Sequence, residues 1–405
     1  MKYGSDLMAE YIASLNIPYI ALNPGASFRG LHDSLVNHPS VEMPQLIECT
    51  HEEISVSIAH GYAKATGEPM AAAIHNIVGL QHASMAIFNA WCDRTPIMLF
   101  GGTGPMKVEK RRPWIDWIHT AFVQGNLVRD FVKWDDQPAS LHSLQDSIYR
   151  AYKLTKTEPA GPVYVCFDAD LQEEPIPVNE ENKDILSFGM PTSTAGFVQA
   201  EAPAPSTEMI DLIAEAIKSA SWPVIIADLT GRSAYAFELL SKLSKEWAIP
   251  VIDRGSRLNI PTDHPMNLSY DTQKVLAQAD VVIALDVMDL FGVTSKINRV
   301  QRTTESILKS NARVFSISLN DYLVRSWSND FQKMFPTEAN ILADSASALK
   351  MLISRLGHSN VESPSYSKYI ELRYIEVSHW HKRLRDNWMT RARKEETLKP
   401  ITPPD

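Results

Sequence analysis

His51-Glu52-Glu53-Ile54-Ser55-Val56-Ser57-Ile58-Ala59-His60-Gly61-Tyr62-Ala63-Lys64-Ala65-Thr66-Gly67 opens on two acids and closes on a glycine. Acidic side chains in a first turn complement the positive end of the helix dipole. A glycine just past the last turn is the commonest way to end a helix. The stretch therefore predicts a helix from about Glu52 to Thr66, with Ile54, Ile58 and Tyr62 on its apolar face. Glu53 sits about 100° around that helix from Glu52 and is expected to face solvent or play a structural part. By pattern alone, Glu52 could be an ordinary N-terminal glutamate.

Short apolar strands alternate with helices on both sides of this segment. Met8, Tyr11, Ile12 and Leu15 share a helical face that Ser5 could cap. Strands are predicted at Pro18 to Leu22, Gln45 to Cys49, Pro69 to His75, Pro96 to Phe100 and Gly161 to Phe167, with helices at Gln81 to Trp91 and Ser140 to Thr155. Asn23-Pro24-Gly25 must turn, and Gly101-Gly102 closes a strand. Lys110 to Trp134, aromatic and basic, fits no element clearly. This alternation implies a parallel sheet covered on both faces.

Residues 176 to 205 are rich in Pro, Ser, Thr, Glu and Asn and read as a linker. A second unit follows over 206 to 355. Its expected strands are Pro223 to Ala227, Pro250 to Asp253, Val281 to Leu285 and Arg313 to Ile317. Its expected helices include Thr207 to Ala220 and Ala234 to Glu246. A last helix, Ser367 to Arg393, should show Ile370, Tyr374, Val377, Leu384 and Trp388 on one side. The fold class is thus α/β: two doubly wound parallel-sheet domains (1 to 175 and 206 to 355) and a C-terminal helical linker (356 to 405).

The chain has 405 residues, a net charge of -9, 44% hydrophobic and 21% charged residues. That balance suits a globular protein and gives no basis for a nucleic-acid-binding face. Basic residues gather from Lys382 to Lys399, where a solvated helix face accounts for them. Cys49, Cys92 and Cys166 lie far apart with no CxxC pair, which fits a reducing compartment. No apolar run approaches the ~20 residues of a membrane span. A cytoplasmic protein without membrane attachment is expected.

Several motifs carry a family resemblance. Glu52 follows a histidine, and its helix ends in Gly61-Tyr62-Ala63 and then Thr66-Gly67. Asn23-Pro24-Gly25 precedes it. His75-Asn76-Ile77-Val78-Gly79-Leu80, then Asn89-Ala90-Trp91-Cys92-Asp93-Arg94-Thr95-Pro96, and finally Gly161-Pro162-Val163, follow it in order. This set resembles the pyrimidine-binding domain of thiamine-diphosphate-dependent enzymes of the acetolactate synthase and benzoylformate decarboxylase group. Trp222-Pro223-Val224, Ile249-Pro250-Val251, His264-Pro265 and Ala279-Asp280-Val281 resemble the central domain of the same group.

The resemblance implies that Glu52 is the carboxylate that activates the cofactor. Bonded to the pyrimidine, it favours the imino tautomer that takes the thiazolium C2 proton. It implies cofactor contacts at Asn23, Pro24, Gly25 and Gly79, and a substrate pocket at Ala26, Ser27 and His75, with His75 either catalytic or a hydrogen-bonded turn histidine. Ala26 stands where benzoylformate decarboxylase has a pocket serine, and Gly101-Gly102-Thr103-Gly104 replaces the G-x-Q of many acetolactate synthases.

In the family, Mg²⁺ and the diphosphate are held by a third domain marked by GDG, a motif absent from these 405 residues. The chain is accordingly expected to supply no metal ligand and to take the diphosphate-binding half from a partner subunit, unless that half has been lost by truncation. FAD is possible, though no motif demands it. A homo-oligomer acting on a small 2-oxo acid, by decarboxylation or carboligation, is the reading. The alternative is a non-catalytic regulatory paralogue that binds a partner enzyme.

Other motifs carry less. His51-Glu52 is not a zincin motif, because the second histidine of HExxH would fall at Ser55. Gly101 to Gly104 and Gly231 lack the lysine spacing of a phosphate loop. Lys110-Arg111-Arg112-Pro113-Trp114, with Trp117, could meet an anion or form a solvated turn. His379-Trp380-His381 reads as helix surface.

Overall fold

The computed structural model describes residues 2–38, 42–113, 116–176, 199–323, 333–357 and 364–395. The chain separates into two units, Met1–Glu201 and Ala202–Asp405. The first is built on six parallel strands in the spatial order Gln45–Glu48, Tyr19–Leu22, Met70–Ile74, Ile97–Thr103, Val163–Asp168, Trp134–Asp136. Successive side chains of a strand face opposite ways, and the cores obey that rule. Ala71, Ala73, Met98, Phe100, Val163, Val165 and Phe167 pack on one face of the sheet. Met70, Ala72, Ile74, Ile97, Leu99, Tyr164 and Cys166 pack on the other. Both faces are therefore dry, which explains why these strands read as continuous apolar runs.

Helix Glu52–Thr66 forms with the expected bounds. Gly67 ends it at φ 76°, a left-handed conformation that glycine adopts without steric cost. The buried face differs from expectation in part: Ile58 and Tyr62 pack against the core as expected, but Ile54 does not. Glu52, Ser55, Val56, Ala59 and Ala63 are buried, while Ile54 is 44% exposed. Small side chains let this helix lie close against helix Asn76–Cys92 and the sheet, so compactness rather than hydrophobicity selects the inner face. Ser5 lies within helix Gly4–Ser14 instead of capping it; the Asp6 carboxylate accepts from the Tyr3 N–H at 2.9 Å at the helix start. Helix Asn76–Cys92 starts five residues earlier than the apolar pattern suggests, and strand Ile97–Thr103 runs through Gly101 and Gly102. Those glycines are not a phosphate loop: a Cβ on Gly101 would meet Tyr164 Oη, and one on Gly102 would meet Ser27. The Lys110 to Trp134 stretch resolves into short 3-10 turns and a single helical turn, Asp116–His119. Trp114 and the side chain of Trp117 lie outside the described residues.

The second unit carries five parallel strands in the order Val251–Asp253, Pro223–Ala227, Val281–Leu285, Arg313–Ile317, Ala339–Ile341. A hairpin, Ser295–Asn298 with Thr303–Ser306, was not legible in the sequence. Helix Pro364–Glu395 packs on this core through Ile370 and Val377, both buried. Buried Arg373 donates from Nε to Ala248 O at 3.0 Å and from Nη2 to Trp247 O at 2.8 Å, satisfying carbonyls at the end of helix Ala234–Glu246. His379-Trp380-His381 is not all surface. His381 is 9% exposed with Nδ1 2.7 Å from Asn267 O, whereas Trp388, expected on the buried side, is 51% exposed. Among the described residues, no helix is long and apolar enough to cross a membrane.

Phe100, 1% exposed in a central strand and stacked on Phe167, fixes one core of the first unit. Phe100→Ala should lower stability in urea denaturation by about 3–5 kcal/mol. Val300→Ala, at a site 93% exposed, should change it by less than about 0.5 kcal/mol.

Candidate active site

The strand order of the first sheet reverses beside Tyr19–Leu22: the chain passes first to one neighbour, Gln45–Glu48, then to the other, Met70–Ile74. In open parallel sheets, such a switch leaves a crevice beyond the carboxyl ends of the strands. Three segments meet there. Asn23-Pro24-Gly25 follows the first strand, helix Glu52–Thr66 starts shortly after the second, and His75 joins the third to helix Asn76–Cys92.

Glu52 is the first residue of its helix and is 4% exposed. Burial raises its pKa, but the Glu52 N–H, the Asn23 side chain and His82 together outweigh that cost and hold it below the usual carboxylate value. His82 Nδ1 lies 3.2 Å from Glu52 Oε2, and its ring stacks on His51 at 4.9 Å between centroids. His51 caps the helix, with Nδ1 accepting from the Glu53 N–H at 3.2 Å. Glu53 is exposed, as expected. Gly79 makes the close packing possible: a Cβ there would sit 2.8 Å from Glu52 Oε1 and 2.9 Å from Ile74 Cγ2. Glu52 therefore presents an ionised carboxylate in a water-poor corner of the crevice.

His75 forms the neighbouring cluster. Gly25 lets the backbone pass its ring, since a Cβ on Gly25 would lie 2.5 Å from His75 Cβ and Cγ. Ser27 Oγ is 3.0 Å from His75 Nδ1. The His119 ring lies 5.5 Å away between centroids, tilted by 50°. Burial, then the nearby His119, lowers the His75 pKa; Glu52 opposes them. His75 is thus neutral at pH 7.

Of the residues expected from sequence, Asn23, Glu52 and Gly79 come together, as do Gly25, Ser27 and His75. Pro24 and Ala26 are exposed on the same loop, whereas Ser27 is 3% exposed. Sequence reasoning missed His82 and His119. His82 stands three residues after Gly79, which puts both on one helix face; that spacing was the available signal. His119 had none, because its segment has no periodicity. Donor atoms of His51, Glu52 and His82 lie within 4.8 Å of one another, a spacing that could hold a cation. Here Nδ1 of each ring is already engaged, one by the Glu53 N–H and the other by Glu52. Asp93 ties the two helices instead of entering the site, with Oδ2 at 2.8 Å from His60 Nε2 and 2.6 Å from Lys64 Nζ.

Residues 2–127 match the thiamine pyrophosphate enzyme N-terminal TPP binding domain. That part of the chain is similar to the N-terminal domain of thiamine-diphosphate-dependent enzymes. It is 23% identical to an acetolactate synthase large subunit of Lactococcus lactis over 377 residues, covering 91% of this chain and 59% of that protein. It is 26% identical to a benzoylformate decarboxylase of Pseudomonas aeruginosa over 222 residues, covering 53% of this chain and 38% of the relative. Its fold is similar to that of a thiamine diphosphate-dependent 4-hydroxybenzoylformate decarboxylase from Rhodococcus jostii RHA1. That similarity has a TM-score of 0.69 at 19% identity and covers 90% of this chain and 64% of the other. The chain spans less than two thirds of the length of each of these relatives.

Because the folded pKa of Glu52 lies below its unfolded value, the stability it contributes is complete above the unfolded pKa and is lost as pH falls through the folded one. His82→Ala removes one of the groups that lower it. Carboxyl-¹³C NMR of glutamate-labelled protein should show Glu52 titrating at higher pH in that variant than in the wild type.

Proposed function

We propose that the first unit binds the aminopyrimidine of thiamine diphosphate and that Glu52 is the carboxylate that promotes ionisation of its thiazolium C2. The observation carrying this reading is a buried glutamate held ionised at the switch point, with Gly79 packed so closely against it that a Cβ there would sit 2.8 Å from Glu52 Oε1. The residues present fit such a ring: Glu52 offers an anionic acceptor, and Asn23 and Gly25 edge the opening from the adjoining loop. When bound, thiamine diphosphate supplies a carbanion at C2 able to add to a carbonyl carbon.

The chain's own part is to orient and to polarise. Asn23 and His82 fix the Glu52 carboxylate, so no reorganisation is needed when charge develops opposite it. His75, neutral and beside Ser27, faces the substrate side of the crevice. The substrate class is a small 2-oxo acid, and the reaction class is decarboxylation or carboligation, in keeping with the acetolactate synthase and benzoylformate decarboxylase relatives. Mg²⁺ and the diphosphate would be held by a separate diphosphate-binding domain, whose source is a partner subunit or a further stretch of polypeptide. We further place the protein in the cytoplasm as an oligomer; its three cysteines are free, which suits a reducing compartment.

Glu52→Gln keeps the shape and removes the charge. In holoenzyme assembled with the diphosphate-binding half, thiamine diphosphate C2 proton exchange and CO₂ release from 2-oxo acids should fall by about 10²–10⁴-fold, with the thermal unfolding midpoint little changed. Near-normal exchange would overturn the assignment.

A further inference from the structure

Ser27 Oγ makes two contacts that together decide the state of His75. It accepts from the Asn76 N–H at 3.2 Å, and it lies 3.0 Å from His75 Nδ1. Ser27 is 3% exposed and Asn76 also 3%, so water is not at hand to take the hydroxyl hydrogen. A serine hydroxyl has one hydrogen to give, and leaving it unused in a buried site would be costly. The Asn76 contact uses a lone pair, because a backbone N–H can only donate. The hydroxyl hydrogen therefore goes to Nδ1, which must be unprotonated to receive it.

We infer that Ser27 is a positioning residue that locks His75 as the neutral Nε2–H tautomer, so that His75 serves the 2-oxo acid as a hydrogen-bond donor to an oxygen rather than as a proton acceptor. This inference rests on the assignment of His75 to the substrate side of the site. A neutral imidazole is a very weak acid, so it acts by polarising an oxygen through a hydrogen bond, without surrendering its proton. Placed where negative charge develops on a carbonyl or carboxylate oxygen, such a donor contributes in the transition state.

The neighbourhood is built around this contact. Helix Asn76–Cys92 begins at the residue whose N–H holds Ser27, and Asn76 itself is kept at φ 21°. Gln172 Nε2 donates to Ser27 O at 2.8 Å, fixing the serine backbone. Gly102 provides the room, since a Cβ there would lie 2.6 Å from Ser27 Oγ. Burial, and then the neighbouring His119, lowers the His75 pKa and so favours its neutral form. The resemblance implies Ser27 in the substrate pocket; in this proposal it acts through His75.

The test is long-range ¹H–¹⁵N correlation NMR of histidine-labelled full-length chain at pH 8, with His75→Ala to assign the resonance. The wild type should show His75 wholly as Nε2–H. In Ser27→Ala, the Nδ1–H form should become detectable. In the assembled holoenzyme, Ser27→Ala should lower kcat about tenfold, the worth of one neutral hydrogen bond of about 1.4 kcal/mol, with KM little changed. A wild-type ring carrying its proton on Nδ1, or a Ser27→Ala ring still wholly Nε2–H, would overturn the inference. So would an unchanged kcat in a variant whose tautomer has shifted. The tautomer measurement needs no cofactor, so it stands or fails apart from the Glu52→Gln result.

Discussion

A carboxylate 4% exposed keeps its charge at the mouth of the first unit, and much of the local structure answers to that. An unpaired buried carboxylate would take up a proton, because desolvation penalises its charged form. Three groups prevent this: the Glu52 N–H at the start of its helix, the Asn23 side chain on the neighbouring loop, and the His82 ring two turns into the next helix. Each comes from a different segment. Two of the three, Asn23 and His82, are supplied by the fold and not by the Glu52 helix itself.

The same economy of space governs both clusters at the switch point. Gly79 and Gly25 matter for the side chain they lack: the first lets Glu52 lie against a helix, the second lets a loop run over the His75 ring. Gly102 does as much for Ser27 from inside a central strand. Glycine in a strand interior ordinarily weakens it; here the strand is buried on both faces, and close approach is worth more than propensity. The two clusters differ in charge. One presents an anion and the other a neutral ring, and Glu52 lies near enough to oppose the lowering of the His75 pKa. Neighbouring titratable groups whose pKa values are both displaced by their surroundings are a mark of candidate sites for chemistry.

Much of the fold was legible because its signals are local. The bounds of Glu52–Thr66 follow from two acids and a glycine, and four strands of the second sheet follow from short apolar runs between turns. The failures are equally physical. Ile54 looked like core, but a helix that must approach another closely buries its alanines and serine instead. Helix Asn76–Cys92 was placed too late because His75-Asn76-Ile77 shows no helical period; at its start the Asn76 N–H donates to Ser27, far away in sequence. His381 looked like surface because the helix pattern is amphipathic; its burial depends on Asn267, more than a hundred residues away.

The sequence by itself determined the alternation of strands and helices, the helix that begins at Glu52, and the glycines that clear its path, since all of these are written in residue type and spacing. Tertiary structure alone decided which groups surround the carboxylate and the imidazole. His82 reaches Glu52, and Ser27 reaches His75, because the fold brings loops distant in sequence together at the carboxyl ends of parallel strands; His119 comes beside His75 from a further segment. Hydrogen bonds have directions and tautomers, and those are fixed by where partners lie in space, which no spacing along the chain records.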